Sequence, residues 1–177
     1  MLLLTGRAKV FRVDKSGHEL LLALCDPGEL LGELGAIDGE PGIAHVGALD
    51  DLEALVVPAP DFRRHLETVP RVAVVLLEDI VRRFRETTVR RAQFSSSDTT
   101  GRLIARILEL ADRYGQPCAD GIAIELPISQ EELAAWTGSS RAGVTGAIQS
   151  LRELGWISTA RRRIVVTQLE AMRARSA

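Results

Sequence analysis

Apolar and polar positions alternate along the first third of the chain, then shift to a spacing of three and four. "RAKVFRV" (7–13) alternates, "HELLLAL" (18–24) follows the turn sequence "DKSG", and a hairpin around Asp14–Gly17 is predicted. "PGELLGELGAIDGEPG" (27–42) is dense in glycine and proline, which predicts turns with at most one short helical turn. "IAHVGAL" (43–49) and "LEALVVP" (52–58) give two more strands, split by a turn at Asp50–Asp51. Short strands with glycine-rich turns at close spacing predict a roll or barrel.

The period changes near Asp61. From about Pro70 to Ser97, Val69, Val72, Ala73, Leu76, Ile80, Phe84 and Thr87 recur at threes and fours among arginines and glutamates, which predicts one long helix. A stripe this long exceeds what one small roll can cover, and a second copy of the chain is the expected partner. The simpler alternative is a helix lying on its own sheet. "SSSD" (95–98) breaks the pattern, and Asp98 is placed to cap a further helix with an apolar face of Leu103, Ile104, Ile107, Leu108 and Ala111.

A loop, "RYGQPCADG" (113–121), leads to a strand, "IAIELP" (122–127), and then to two short helical stripes. Ser129 with Glu132 forms a capping box that starts the first stripe, in which Leu133 and Ala134 face inward. Gly138 falls at the break, where a left-handed backbone favours glycine. Ser139 and Ser140 then cap a second helix with Val144, Ala147, Ile148 and Leu151 on its inner face. That spacing is the pattern of a DNA-binding helix-turn-helix. The outward face carries Arg141, Thr145 and Gln149 at steps of four. Arginine matches the two acceptors of guanine in the major groove, and glutamine can pair with adenine. Serines at a helix N-terminus suit a phosphate. "WIS" (156–158), then Arg161, Arg162 and Arg163, then "IVVTQ" (164–168) predict two strands with a basic tip, a wing able to lie on the sugar-phosphate backbone. "LEAMRARS" (169–176) has the makings of a short terminal helix.

Bulk properties narrow the classes. The formal net charge of −2 does not by itself call for a polyanionic partner, so the local arginine cluster carries that argument. No apolar run approaches the length of a membrane span, so no membrane partner is expected and a cytoplasmic protein is. Cys25 and Cys118 lack metal-type spacing and are expected to be thiols packed inside or half-buried. His18, His45 and His65 are scattered, so no metal site is expected. No nucleophile–base constellation stands out, which argues against an enzyme. Trp136 and Trp156 are expected to fill the small C-terminal core.

The order of these parts resembles the Crp/Fnr family of transcription regulators, nearly end to end. "GELGAIDGEP" (32–41) is similar to the family's phosphate-binding cassette, "DTTGRLIARILELA" (98–111) to the helix after its hinge, and "ISQEELAAWTGSSRAGVTGAIQSLRELGWI" (128–157) to its DNA-reading motif. The resemblance implies a homodimer on double-stranded DNA, with RNA polymerase as a further partner. It also implies a ligand site built from Gly32 and Glu33 on the ribose side and Leu34, with Arg83, Thr87 and Thr88 from the long helix. Nucleotide-binding members continue "GEP" with an arginine and a serine or threonine; here Gly42 and Ile43 stand instead, which disfavours a cyclic nucleotide as ligand. Where many relatives carry a glutamate and a second arginine on the recognition helix, this chain has Ala142 and Gly146. Gly143 and Gly146 each cost roughly 1 kcal/mol in a helix relative to alanine. They either permit closer approach to DNA or are tolerated drift. "LLLTGRAKV" (2–10) resembles a middle strand of the roll, which raises either a misassigned start or an incomplete roll with an exposed edge.

The expected architecture is therefore α+β: a partial, cyclic-nucleotide-binding-like β-roll over 1–68, a long dimerisation helix over 69–97, and a winged helix-turn-helix over 98–177. The expected function is that of a homodimeric transcription regulator reading a palindromic operator, modulated by a ligand at the roll. The alternative is a ligand-independent regulator whose degenerate roll is a scaffold or a protein-interaction module.

Overall fold

The computed structural model describes residues 1–15, 17, 19–96, 98–125 and 128–176, the side chains of 89–96 excepted. Ser16 of the expected hairpin turn, His18, Ser97 at the end of the expected long helix, and Leu126 and Pro127 of the expected strand lie outside the described residues. The chain is mixed helix and antiparallel sheet and divides into two units, Met1–Arg91 and Ala92–Ala177.

In the first unit, β1 (Leu2–Thr5), β2 (Ala8–Val13) and β3 (Glu19–Cys25) are followed by α1 (Glu33–Asp38), β4 (His45–Ala48), β5 (Glu53–Leu55) and α2 (Ala59–Thr68). β2 and β3 form the hairpin that the alternation predicts, and β4 pairs with the other edge of β2. β1 pairs with β5 in a separate two-stranded sheet. Leu3, Ala8, Cys25 and Leu31 make a buried cluster with Met1, Val10, Leu52 and Ala54 packed on it, while Val13, Leu20 and Leu22 of the hairpin are exposed. Arg7 closes the turn before β5 by donating from Nε to Asp50 at 2.6 Å. The glycine-rich segment, expected to hold at most one helical turn, holds a six-residue helix entered through Gly32 at φ 77°, a conformation that disfavours any Cβ. The helix α2 was not expected: "LEALVVP" (52–58) reads as strand through Pro58, whereas Pro58 precedes and Pro60 falls in the first turn of a helix, where proline gives up only donors that would be unpaired anyway.

α3 (Pro70–Ser96) is the long helix. The stripe expected on it does not keep to one side, and a second apolar row that shares only Phe84 with it lies opposite. Leu76 is buried, and Val72, Ala73 and Ile80 are half-buried, on the side where Arg83 reaches Leu30 and Glu33 of the same unit. Val74, Leu77, Val81 and Phe84, at steps of three and four, lie on the exposed side, Phe84 with 71% of its surface accessible. Phe84 and Thr87 thus do not belong with Leu76 and Ile80.

The second unit contains α4 (Thr99–Tyr114), β6 (Gln116–Cys118), β7 (Gly121–Glu125), α5 (Gln130–Trp136), α6 (Arg141–Glu153), β8 (Ile157–Ala160), β9 (Arg163–Val166) and α7 (Leu169–Ser176). The sheet order is β6-β7-β9-β8, all antiparallel. β6 lies in what reads as loop, because Pro117 and the flanking polar residues hide a three-residue strand. Asp98 caps α4 by accepting from the Gly101 N–H at 2.6 Å, and the predicted apolar face is buried, with Leu110 added to it. Trp136 is buried beneath the Arg106 guanidinium, 5.0 Å from the ring centroid, while Trp156 is half-buried. Leu151 and Met172 are fully enclosed, which stabilises the unit by about 1.5–3 kcal/mol for each such side chain. Among the described residues no helix is long and apolar enough to cross a membrane.

Candidate nucleic-acid interface

The capping box expected at the first motif helix is present. Ser129 Oγ accepts from the Glu132 N–H at 3.1 Å, and Glu132 accepts from the Ser129 N–H at 2.8 Å. α5 runs only to Trp136, and its last turn is closed by Thr137, whose hydroxyl lies 2.9 Å from the Leu133 carbonyl. Gly138 follows at φ 55°, so the chain reverses at a residue without a Cβ. α6 then begins at Arg141 with Ser140 as its cap, accepting from the Gly143 N–H at 3.1 Å. Val144, Ala147, Ile148 and Leu151 are buried beneath it.

Arg141, Thr145 and Gln149 are all exposed on the opposite face of α6. The Thr145 hydroxyl lies 2.9 Å from the Arg141 carbonyl and 3.3 Å from Gln130 Oε1. Gln149 donates from Nε2 to Glu153 at 2.9 Å. Thr145 and Gln149 line an open groove of about 450 Å³ whose wall also includes Gln130, Arg152, Glu153 and Thr159. Those four were not singled out by sequence. Arg152 continues the outward face of α6, a signal available in the spacing, whereas Gln130 and Thr159 come from other elements and reach the groove only in the fold.

The two serines differ. Ser140 accepts as a cap and retains a hydroxyl proton to donate, which suits a phosphate oxygen next to the positive end of α6. Ser139 does not cap the helix as expected. Its Oγ accepts from Arg102 Nη2 at 3.0 Å and sits 3.2 Å from the Thr137 carbonyl, so its polar capacity is turned into the protein.

Arg161 and Arg162 are exposed at the tip of the β8–β9 hairpin, with Arg162 at φ 56°. A left-handed conformation is uncommon for a side chain as long as arginine. Arg163 is the first residue of β9; it faces Glu125 of β7 in register and lies 3.5 Å from that carboxylate. Part of its charge is therefore offset within the sheet, although both side chains are solvent-exposed and the offset is small.

In the first unit, Glu33 and Arg83 of the residues expected at a ligand site are brought together. Gly32 and Glu33 start α1, and Glu33 is only 6% accessible because Arg83 Nη1 lies 3.1 Å from its carboxylate. Arg83 also donates to Asp79 and to the Leu30 carbonyl. Burial alone would raise the Asp79 carboxyl; hydrogen bonds from Arg83 and Arg82 outweigh it and hold the group below its ordinary value. Leu34 is exposed, and the hydroxyls of Thr87 and Thr88 are bonded back to the carbonyls of Arg83 and Phe84. Ile43 is 73% accessible. Gly42 and Ile43, which follow "GEP", offer neither a charged nor a hydroxyl side chain to a phosphate. His45 stacks beside Phe11, with ring centroids 5.5 Å apart, and Cys25 is buried in the roll while Cys118 is half-buried.

Residues 1–69 match the cyclic nucleotide-binding domain family, and residues 101–175 match the Crp-like helix-turn-helix domain family. The chain is 31% identical over 166 residues to the global nitrogen regulator of Nostoc sp., covering 93% of this chain and 74% of that one. It is 26% identical over 175 residues to the CRP-like cAMP-activated global transcriptional regulator of Mycobacterium tuberculosis, covering 99% and 78%. A solved CRP-family transcriptional regulator from Thermus thermophilus superposes with a TM-score of 0.81 at 25% identity, covering 99% of this chain and 86% of that one.

Proposed function

We propose, for a chain that belongs to the Crp/Fnr family of DNA-binding transcription regulators, that it acts as a homodimer reading an imperfect palindrome through α6. The observation that carries this reading is the exposed row Arg141, Thr145 and Gln149 on a helix whose other face is buried. Arg141 supplies the fork for a guanine, Gln149 the amide for an adenine, and Ser140 a phosphate contact at the helix N-terminus. Arg161 and Arg162 add sequence-independent attraction to the backbone.

The exposed stripe Val74, Leu77, Val81 and Phe84 supports pairing of α3 with a second copy, since four apolar side chains at coiled-coil spacing are otherwise left in water. Two-fold symmetry would then be mirrored in the operator. RNA polymerase is a further proposed partner, and the cytoplasm the proposed site of action.

A second reading concerns the signal. The Arg83–Glu33 pair and the Gly42–Ile43 sequence favour a ligand-independent regulator whose roll is a scaffold, over one switched by a cyclic nucleotide. Retardation of genomic and random DNA fragments at graded salt tests the main reading. Binding that weakens steeply with salt is expected; no binding even at low salt contradicts it.

A further inference from the structure

We propose that Arg102, a residue of α4 rather than of either motif helix, is a positioning residue that sets the aim of α6 and so the specificity of DNA reading. This rests on the proposed role of α6. The Arg102 guanidinium is half-buried and reaches across to the reversal between α5 and α6. Its Nε donates to the Thr137 carbonyl at 2.9 Å, and its Nη2 donates to Ser139 Oγ at 3.0 Å and lies 3.4 Å from Thr99 Oγ1. Ser139 Oγ is itself 3.4 Å from Thr99 Oγ1, which closes the cluster.

Each contact falls on a point that fixes direction. Thr137 ends α5, and its carbonyl would otherwise be one of the unpaired acceptors of a helix terminus. Ser139 lies between Gly138, where the backbone is least restrained, and Ser140, the cap of α6. The Thr99 methyl lies against α6 as well: a Cβ built at Gly143 would sit 3.5 Å from it. One charged, planar fork therefore clamps both sides of a glycine hinge to the first turn of α4. Arg141 begins two residues beyond Ser139, so a tilt of this turn carries its guanidinium away from a base edge while leaving the net positive charge near the DNA unchanged.

A direct phosphate contact by Arg102 makes a different prediction, and salt dependence separates the two. The full-length chain and its Arg102→Gln and Arg102→Lys variants are titrated with a selected operator and with random DNA at several salt concentrations, and their thermal melting is followed. Positioning predicts that Arg102→Gln binds the operator on the order of tenfold to a hundredfold more weakly, the loss of about one bidentate base contact. Its affinity for random DNA and the salt slope there stay unchanged, and Arg102→Lys, which keeps a single donor point, recovers part of the loss. An unchanged ratio of operator to random binding overturns the proposal. So does an equal loss on both DNAs with the salt slope reduced by about one per protomer, the mark of a phosphate ligand. Should Arg102→Gln show no cooperative melting, Ser139→Ala removes one acceptor of the clamp and leaves the arginine: a severalfold drop in the operator ratio is expected, and none overturns the proposal. If the unsubstituted chain binds no DNA, it is the reading of α6 that fails.

Discussion

Arg83 lies 3.1 Å from Glu33 and joins the long helix to the start of α1 through a carboxylate that is almost wholly enclosed. In a nucleotide-binding roll the same carboxylate would be wanted by a ligand, yet here it already has a cationic partner. Adding cyclic AMP is therefore expected to leave the melting temperature unchanged, since only a molecule that binds the folded state raises it. A saturable rise, followed by calorimetry, contradicts the scaffold reading. Arg83→Ala is expected to destabilise the first unit by about 1–3 kcal/mol, less than for a fully buried pair because the arginine is partly solvated.

Asp79 gives this cluster a pH dependence. Its carboxyl is held below the ordinary 3.8: burial acts upward, but hydrogen bonds from Arg83 and Arg82 act downward and prevail. A group whose folded value is depressed contributes stability that is complete above its unfolded value and lost as pH falls through the folded one. Chemical denaturation between pH 5 and about 2 should show stability falling below about 3.8, and Asp79→Asn should flatten that part of the curve. An identical acid dependence in the variant would remove Asp79 from the account.

Arg141 and the wing arginines should fail in different ways. Arg141→Ala is expected to cost about 1–3 kcal/mol on the operator and to relax preference at one base position. Replacing Arg161 and Arg162 together should weaken all sequences alike and reduce the salt slope by up to about two per protomer, about four for the dimer. Competition binding with single-base operator variants reads both effects.

The outer stripe of α3 offers a test that leaves folding intact. Leu77 is exposed in the single chain, so Leu77→Glu should leave the chain folded, melting lower only by what dimerisation adds, and should convert a dimer to a monomer in sedimentation. Operator affinity should fall with it, because two half-sites are no longer read together. A variant that remains dimeric would move the interface elsewhere.

Gly146 has open space around it, with nothing within 4 Å of an added Cβ. Gly146→Ala should therefore stabilise α6 by about 1 kcal/mol. If operator affinity is retained, the glycine serves no close approach to DNA; a sharp loss would assign it that role.

The helix-turn-helix was legible because three independent local signals agree there: the Ser129–Glu132 box, Gly138 at the reversal, and the inward spacing of Val144, Ile148 and Leu151. The hairpin of β2 and β3 was legible for a similar reason, since alternation and turn residues point the same way. What could not be read depended on contacts between distant residues. Ser139 looked like a second cap until Arg102, 37 residues earlier, was found to claim its hydroxyl. Arg163 looked as available as its neighbours until the register set it opposite Glu125. On α3, two apolar stripes share one helix, and periodicity marks apolar positions without saying which side the roll covers. Proline hid α2 because its penalty applies to helix interiors and is absent in a first turn.

Selection of bound sequences from a random DNA pool by the full-length chain bears most directly on the claim that α6 reads base pairs as one half of a symmetric pair. The account predicts an imperfect inverted repeat with half-site centres about 10–10.5 base pairs apart, or a multiple of that spacing, which loses definition in the Arg141→Ala variant. A pool that yields no enriched motif, or a motif unchanged by that substitution, would contradict it.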